Sequence, residues 1–156
     1  MCGIAGIYNK DSDINLSSKL DLMGNILAHR GPDDNGKWIE SNNKVGFSHR
    51  RLSIIDLSQY GRQPMTDQKG NWIVFNGEIY NYKSIRAKLR VRFFSNSDTE
   101  VILRAYNKWG KNCIKYLRGM FAFVIWDESK KELFCARDHF GIKPLYYMQL
   151  KNEFYF

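Results

Sequence analysis

The feature that most constrains this chain is the run MFAFVIW, Met120–Trp126, seven apolar residues with no alternation of polar and apolar character. It falls far short of the roughly 20 apolar residues of a membrane-spanning helix, and its aromatic and β-branched content suits a buried strand. A strand that does not alternate has no face reserved for water, so both faces must be covered. The loop DESKK then leads into ELFCAR, a second strand-like run, and that loop length favours an antiparallel hairpin. Hairpin-linked strands of this kind need a second sheet against one side and amphipathic helices against the other. The expected architecture is helix–sheet–sheet–helix, with a two-layer α+β arrangement as its structural rival.

Helices to cover such sheets are present. In LSSKLDLMGNILAHRG, Leu16, Leu20, Met23 and Leu27 recur on one helical face, and Gly31 with Pro32 stops the pattern. SDTEVILRAYNKWG carries the stripe Val101, Ile102, Ala105 and Trp109, with Ser97 and Glu100 spaced as a capping box and Gly110 at the end. A shorter helix is expected from about Tyr82 to Leu89. Strands are expected at GIAGIY, KVGFSH, WIVFN, MFAFVIWD, ELFCARD and PLYYM. No repeat or low-complexity linker divides the 156 residues, a length that fits one domain able to bury roughly 68–70% of its unfolded surface.

Several classes of function are disfavoured. At 44% hydrophobic and 15% aromatic residues the chain is too apolar to be disordered. Its three cysteines, Cys2, Cys113 and Cys135, form no C-x-x-C pair, so neither a metal site nor a disulfide framework is expected, and Cys113 and Cys135 read as packed thiols. A net charge of +8 raises nucleic-acid binding, but the Lys and Arg residues are scattered and the aromatics lie inside apolar runs. No nucleic-acid or membrane partner is expected. The start of the chain lacks the basic residues and apolar length of a signal peptide, so a cytoplasmic location is the default.

The chemistry concentrates elsewhere. MCGIAGIY places Cys2 where loss of Met1 makes it the N-terminus, although the same letters read as a buried first strand. In VFNGEIYNY, Asn76-Gly77 is locally a favoured tight turn. Yet the Asn76 amide and the Gly77 N–H are also the two donors that a tetrahedral oxyanion requires. Arg51, in HRRLSIIDLS, is either a solvated side chain or a planar fork for a carboxylate. Asp98 either assists a helix cap or receives an ammonium group, and with Arg51 and Glu78 it would suit the zwitterionic end of an amino acid. His29, His49 and His139 each have a local explanation, and no spacing pairs one with a cysteine. The α-amino group of an exposed Cys2, with an unperturbed pKa of ~7.7–8.0, is a nearer base.

Eight motifs, MCGIAGIY, HRGPDD, HRRLSIIDLS, QPM, FNGEIYNY, SDTEVIL, LRGMFAFVIWD and ARDHFGIKPLYY, occur in this order across nearly the whole chain. Together they resemble the N-terminal glutaminase domain of glutamine-dependent asparagine synthetases, within the class II, N-terminal-nucleophile amidotransferases. The resemblance implies an α+β fold, a four-layer αββα sandwich of two antiparallel sheets flanked by helices. It implies that residues 1–156 form a glutaminase domain truncated at its C-terminal end, with the synthetase domain absent. The loop between KLR and FFSNSDTEV is shorter than the family commonly shows.

The same resemblance implies residue roles. Cys2, once first in the chain, attacks the side-chain amide of glutamine and forms a glutamyl thioester, with its own amine as acid and base. Asn76 and the Gly77 backbone stabilise the oxyanion. Arg51 grips the α-carboxylate, Glu78 and Asp98 position the α-amino group, and the backbone of Ile54 and Ile55 forms part of the pocket wall. HRGPDD is assigned to turn and pocket architecture. No cofactor is expected in this domain; ATP and magnesium belong to the synthetase domain, where ammonia would amidate aspartate. The expected partners are glutamine and that C-terminal domain, with a homodimer as the candidate full-length assembly. HRRLSIIDLS and FGIKPLYY favour the asparagine synthetase branch over the same glutaminase chemistry feeding a sugar or polysaccharide precursor. The reading from another class is a non-catalytic basic RNA-binding module.

Overall fold

The computed structural model describes residues 1–11 and 14–156. Among the described residues the strands and α-helices follow one another as β1 (Gly3–Asn9), α1 (Leu16–Ile26), β2 (Asp34–Ile39), β3 (Val45–Arg51), β4 (Met65–Thr66), β5 (Trp72–Ile79), α2 (Tyr82–Leu89), α3 (Asp98–Trp109), β6 (Gly119–Asp127), β7 (Glu132–Arg137), β8 (Met148–Gln149) and β9 (Glu153–Tyr155). The strands form two sheets, in the orders β2-β3-β1-β9-β8 and β4-β5-β6-β7. All pairings are antiparallel.

Alternation along β6 builds the layers. Phe121, Phe123 and Ile125 point to one side, where they join Ile73, Phe75 and Ile79 of β5 against Ile85, Leu89, Val101, Ile102, Ala105 and Tyr106 of α2 and α3. Val124 and Trp126 point to the other side and meet Val45 and Phe47 of the opposite sheet. The far face of that sheet presents Ile7 to Leu16 and Leu20 of α1. The result is α1, five-stranded sheet, four-stranded sheet, then α2 and α3, the expected αββα order rather than its two-layer rival. Trp38 and Trp72 stack across the inter-sheet layer with ring centroids 4.8 Å apart. Each fully buried large apolar side chain contributes about 1.5–3 kcal/mol to holding these layers together.

The helix boundaries follow their caps. Ser97 Oγ accepts the Glu100 N–H at 3.2 Å, the first half of the expected capping box. The second half is absent, because the buried Glu100 carboxylate is taken by the N–H groups of Phe94 and Ser95. The first helix ends at Ile26, before the expected Gly31-Pro32 stop, and a 3-10 turn spans Ala28–Arg30. Its most buried positions are Leu16, Leu20 and Gly24 rather than Met23 and Leu27. Gly24 lies against Ser48, where a Cβ would meet Ser48 Oγ at 2.5 Å, so glycine sets how closely helix and sheet approach.

One expected strand is corrected. In PLYYM only Met148 enters a ladder, while Tyr146 and Tyr147 lie on the surface because residues 144–147 have no strand beside them. Three strands carry no strong alternating signal: DNGKWI opens with turn-forming residues, and MT and EFY are too short to show a period.

Candidate active site

The end of β3, the start of β1 and the second half of β5 open onto a single pocket. It is lined by all eight residues singled out from the sequence: Cys2, Arg51, Ile54, Ile55, Asn76, Gly77, Glu78 and Asp98. The pocket is also lined by Asp56, Gln63, Thr99, Met120 and Lys143, none of which was assigned a role from sequence. Of these, Gln63 had a visible signal in the QPM motif.

Cys2 sits just before β1, within reach of the Leu52 backbone: its Sγ lies 3.4 Å from the Leu52 N–H, which donates to it, and 3.6 Å from the Leu52 carbonyl. Burial pushes its thiol upward, against the opposing pull of the Leu52 N–H, the terminal ammonium and Arg51. The thiol therefore needs a base before it can act as a nucleophile. Cys113 and Cys135 are packed thiols, and burial pushes them up to about 12 and about 11.

Arg51 closes β3 and is buried. Its Nη1 donates to the Ser58 carbonyl at 3.0 Å and its Nη2 to the Asp56 carbonyl, so the loop after β3 wraps round the guanidinium. The HRGPDD segment supports this loop from behind. Asp33 N–H donates to the Arg51 carbonyl at 3.0 Å, and Asp33 Oδ2 accepts the Ser53 N–H at 2.7 Å.

Asn76-Gly77 forms no turn. β5 continues through both residues to Ile79, paired with Phe121 and Ala122 of β6. The phase of this ladder decides where the Gly77 N–H points. Tyr80 N–H donates to the Arg118 carbonyl at 2.8 Å, so even-numbered residues of β5 exchange bonds with β6 and odd-numbered ones face the other edge. Along that edge β4 covers only Trp72 and Ile73. Beyond it, Phe75 N–H donates to Gln63 Oε1 at 2.7 Å and Ile79 N–H to Asp98 Oδ2 at 3.0 Å. The Gly77 N–H between them meets no acceptor among the described residues. Gly77 also lies against β6, where a Cβ would collide with the Met120 carbonyl and stand 2.7 Å from Phe121 Cα.

Asp98 occupies the first turn of α3 and is buried. Burial pushes its carboxyl up to about 6, opposed by the Ile79 N–H and reinforced by the nearby Glu78 charge. His49 stands apart from the pocket lining. It is buried in β3, where neither ring nitrogen has a well-aligned hydrogen-bond partner among the described residues, and burial pushes it down to about 4 against the opposing pull of the Phe75 backbone. Among the described residues no group of three or more His, Cys, Asp or Glu side chains is placed to hold a metal ion. No helix of the described residues is long and apolar enough to cross a membrane.

A second cavity, of about 430 Å³, touches the pocket at Cys2 and Asn76. Its other walls are largely apolar, including Ile4, Met23, Leu27, Leu145 and Phe156.

This architecture defines an amidotransferase fold. The glutamine phosphoribosylpyrophosphate amidotransferase of Bacillus subtilis superposes with a TM-score of 0.73, covering 99% of this chain and 41% of that one at 19% identity. Residues 1–156 match the glutamine amidotransferase domain family, and the chain belongs to it. Asparagine synthetase [glutamine-hydrolyzing] 1 of Bacillus subtilis is 42% identical over 100% of this chain. Amidase chry2 of Gibberella zeae is 42% identical over 98% of it. The chain spans about 25% of the length of each of these two relatives.

Proposed function

We propose that residues 1–156 are the glutaminase unit of an asparagine synthetase, hydrolysing glutamine to glutamate and passing the ammonia to an ATP-dependent domain that amidates aspartate. The observation that carries this reading is the convergence of Cys2, Arg51, Asn76, Gly77 and Asp98 on one pocket. Family membership and the 42% identity to the Bacillus subtilis asparagine synthetase favour it over a sugar acceptor or an RNA-binding module. Arg51 holds the α-carboxylate of glutamine, while Asp98 and Glu78 hold its α-ammonium. The backbone around Ile54 and Ile55 closes the wall beside them.

The reaction then runs at the other end of the substrate. Removal of Met1 exposes the α-amine of Cys2, which takes the thiol proton as Sγ bonds to the side-chain amide carbon. The carbonyl π electrons move to oxygen, and the resulting oxyanion is met by the Asn76 amide and the Gly77 N–H. Collapse of this intermediate breaks the C–N bond, and the α-ammonium returns its proton to the departing ammonia. Water, deprotonated by the same amine, then cleaves the thioester to glutamate and restores the thiol. Ammonia leaves through the apolar cavity that adjoins Cys2, away from the charged end of the pocket. In this reading the later aspartate step, with its ATP and magnesium, belongs to the synthetase domain. A cytoplasmic location accords with three unpaired thiols.

The test is covalent labelling. With Met1 removal confirmed by intact mass, 6-diazo-5-oxo-norleucine should alkylate Cys2, and glutamine should protect it. Chain that retains Met1 should be inert, since its Cys2 nitrogen is an amide. An unreactive Cys2 in folded, processed protein would overturn the mechanism. A steeply salt-dependent affinity for RNA would then favour the binding module.

A further inference from the structure

We infer that Gln63 is a positioning residue that sets the distance between the strand carrying Asn76 and Gly77 and the helix turn carrying Asp98; this rests on the glutaminase reading above. Its side chain is a strut with one partner on each side. Oε1 accepts the Phe75 N–H at 2.7 Å, one residue before Asn76, and Nε2 donates to Thr99 Oγ1 at 3.2 Å, one residue after Asp98. Gln63, Phe75 and Thr99 line the pocket but are all buried, so a lost bond leaves its partner poorly solvated.

The sheet edge explains why a strut is needed there. β4 is two residues long and leaves the edge of β5 uncovered beyond Ile73. The N–H groups of Phe75, Gly77 and Ile79 project from that edge in succession. Gln63 fills the first and Asp98 the third, which leaves the middle one open to a ligand. The backbone of Gln63 is held from behind: Gly36 of β2 lies so close that a Cβ there would strike the Gln63 carbonyl. A fixed backbone and a side chain bonded at both ends hold the oxyanion donors and the ammonium acceptor in one frame. A bound glutamine must satisfy both ends of that frame at once, so a change in its width costs rate as well as affinity.

The experiment follows alkylation of Cys2 by 6-diazo-5-oxo-norleucine in the processed full chain, recording the maximal labelling rate and the glutamine concentration that protects. Gln63→Met keeps the volume and removes both bonds. It should slow labelling about 10-fold and raise the protecting concentration by about the same factor in protein whose near-UV spectrum is native. Gln63→Glu, which keeps an acceptor for the Phe75 N–H, should recover part of the rate. Thr99→Val cuts only the helix side and should raise the protecting concentration more than it slows labelling. A double-mutant cycle should show Gln63→Met and Thr99→Val to be strongly non-additive.

A purely structural glutamine would lower the melting temperature of Gln63→Met and leave both kinetic readouts of the folded fraction unchanged, and that result overturns the inference. Should Gln63→Met fail to fold, Thr99→Val decides, since unchanged glutamine protection in that variant also overturns it. Failure of glutamine to protect wild-type Cys2 would instead reject the underlying glutaminase reading.

Discussion

Asp98 Oδ2 accepts the Ile79 N–H at 3.0 Å, so the carboxylate facing the pocket is anchored to the strand that also carries Asn76 and Gly77. That bond fixes where the carboxylate stands but does not fully offset the cost of burying its charge. Its carboxyl is pushed up to about 6 by burial, and the Glu78 charge adds to the shift. In the proposed role an incoming ammonium group supplies the missing counter-charge. Glutamine affinity should therefore fall as pH drops from about 7 to about 5, approaching a tenfold loss per unit below the pKa. Protection of Cys2 by glutamine, measured across that range, checks it. A pH-independent protecting concentration would remove Asp98 from ammonium recognition.

The same carboxyl and His49 should tilt stability in opposite directions. Asp98, raised to about 6 in the fold from an ordinary value near 3.8, favours the folded state below about pH 4 and loses that contribution as pH rises through 6. His49, lowered to about 4 from 6.5, contributes fully above about pH 6.5 and loses its contribution as pH falls through 4. In the wild type the two slopes oppose each other between about pH 4 and 6. Asp98→Asn should leave a melting temperature that rises with pH over this interval, and His49→Gln one that falls. Thermal melts in matched buffers distinguish the two signs. Asp98→Asn should also melt several degrees above wild type at pH 7.5, even as its proposed role predicts a loss of glutamine binding.

In the proposed role Arg51 and Asn76 serve different ends of the substrate, so their variants should separate kinetically. Arg51→Ala removes the carboxylate fork and should raise KM for glutamine at least tenfold. It also releases the Asp56 and Ser58 carbonyls, so some loss of stability should accompany it. If its amide meets the oxyanion as proposed, Asn76→Ala should lower kcat about 10²–10³-fold with a much smaller change in KM. Steady-state release of glutamate by processed protein measures both. An unchanged kcat in Asn76→Ala would show that the amide does not meet the oxyanion.

The layering was legible because its signal is local, whereas the site residues were singled out through the resemblance of their motifs, each having a competing local reading. MFAFVIW announces two-sided burial, and the helix over Tyr82–Leu89 has its expected bounds. The Asn76-Gly77 pair shows where local sequence misleads. Its turn propensity is overruled by eight register pairs with β6, from Trp72 to Ile79. Gln63 was marked by the QPM motif, but its role was hidden for a different reason. Its role exists only because β4 stops short and leaves an N–H at Phe75 unpaired by the sheet, a fact of strand pairing that no spacing in the sequence encodes. PLYYM misled through composition: aromatic content suggests a strand, but a strand also needs a neighbour.

Asp138 supplies a prediction that is independent of catalysis. Its Oδ1 accepts the N–H groups of Phe140 and Ile142 at 3.1 and 2.9 Å, and its Oδ2 those of Phe121 and Lys143 at 3.1 and 2.9 Å. One carboxylate thus closes the turn after β7 and ties it to β6 beside the pocket residues Met120 and Lys143. Burial pushes this carboxyl upward, but the four backbone donors outweigh it and hold the carboxyl at about 2. Asp138→Ala leaves those donors without their acceptor and should cost about 2–3 kcal/mol. Asp138→Asn keeps one acceptor oxygen and turns an N–H₂ toward two of the donors, so it should lose a comparable amount. Because the folded pKa lies below the unfolded one, the carboxylate stabilises fully above about pH 4 and loses this contribution as pH falls through about 2. The gap between wild type and Asp138→Asn in urea melts should therefore be widest near neutrality and shrink from pH 4 towards pH 2. A gap that stays constant over this interval would mean that the four N–H groups do not depend on the carboxylate charge.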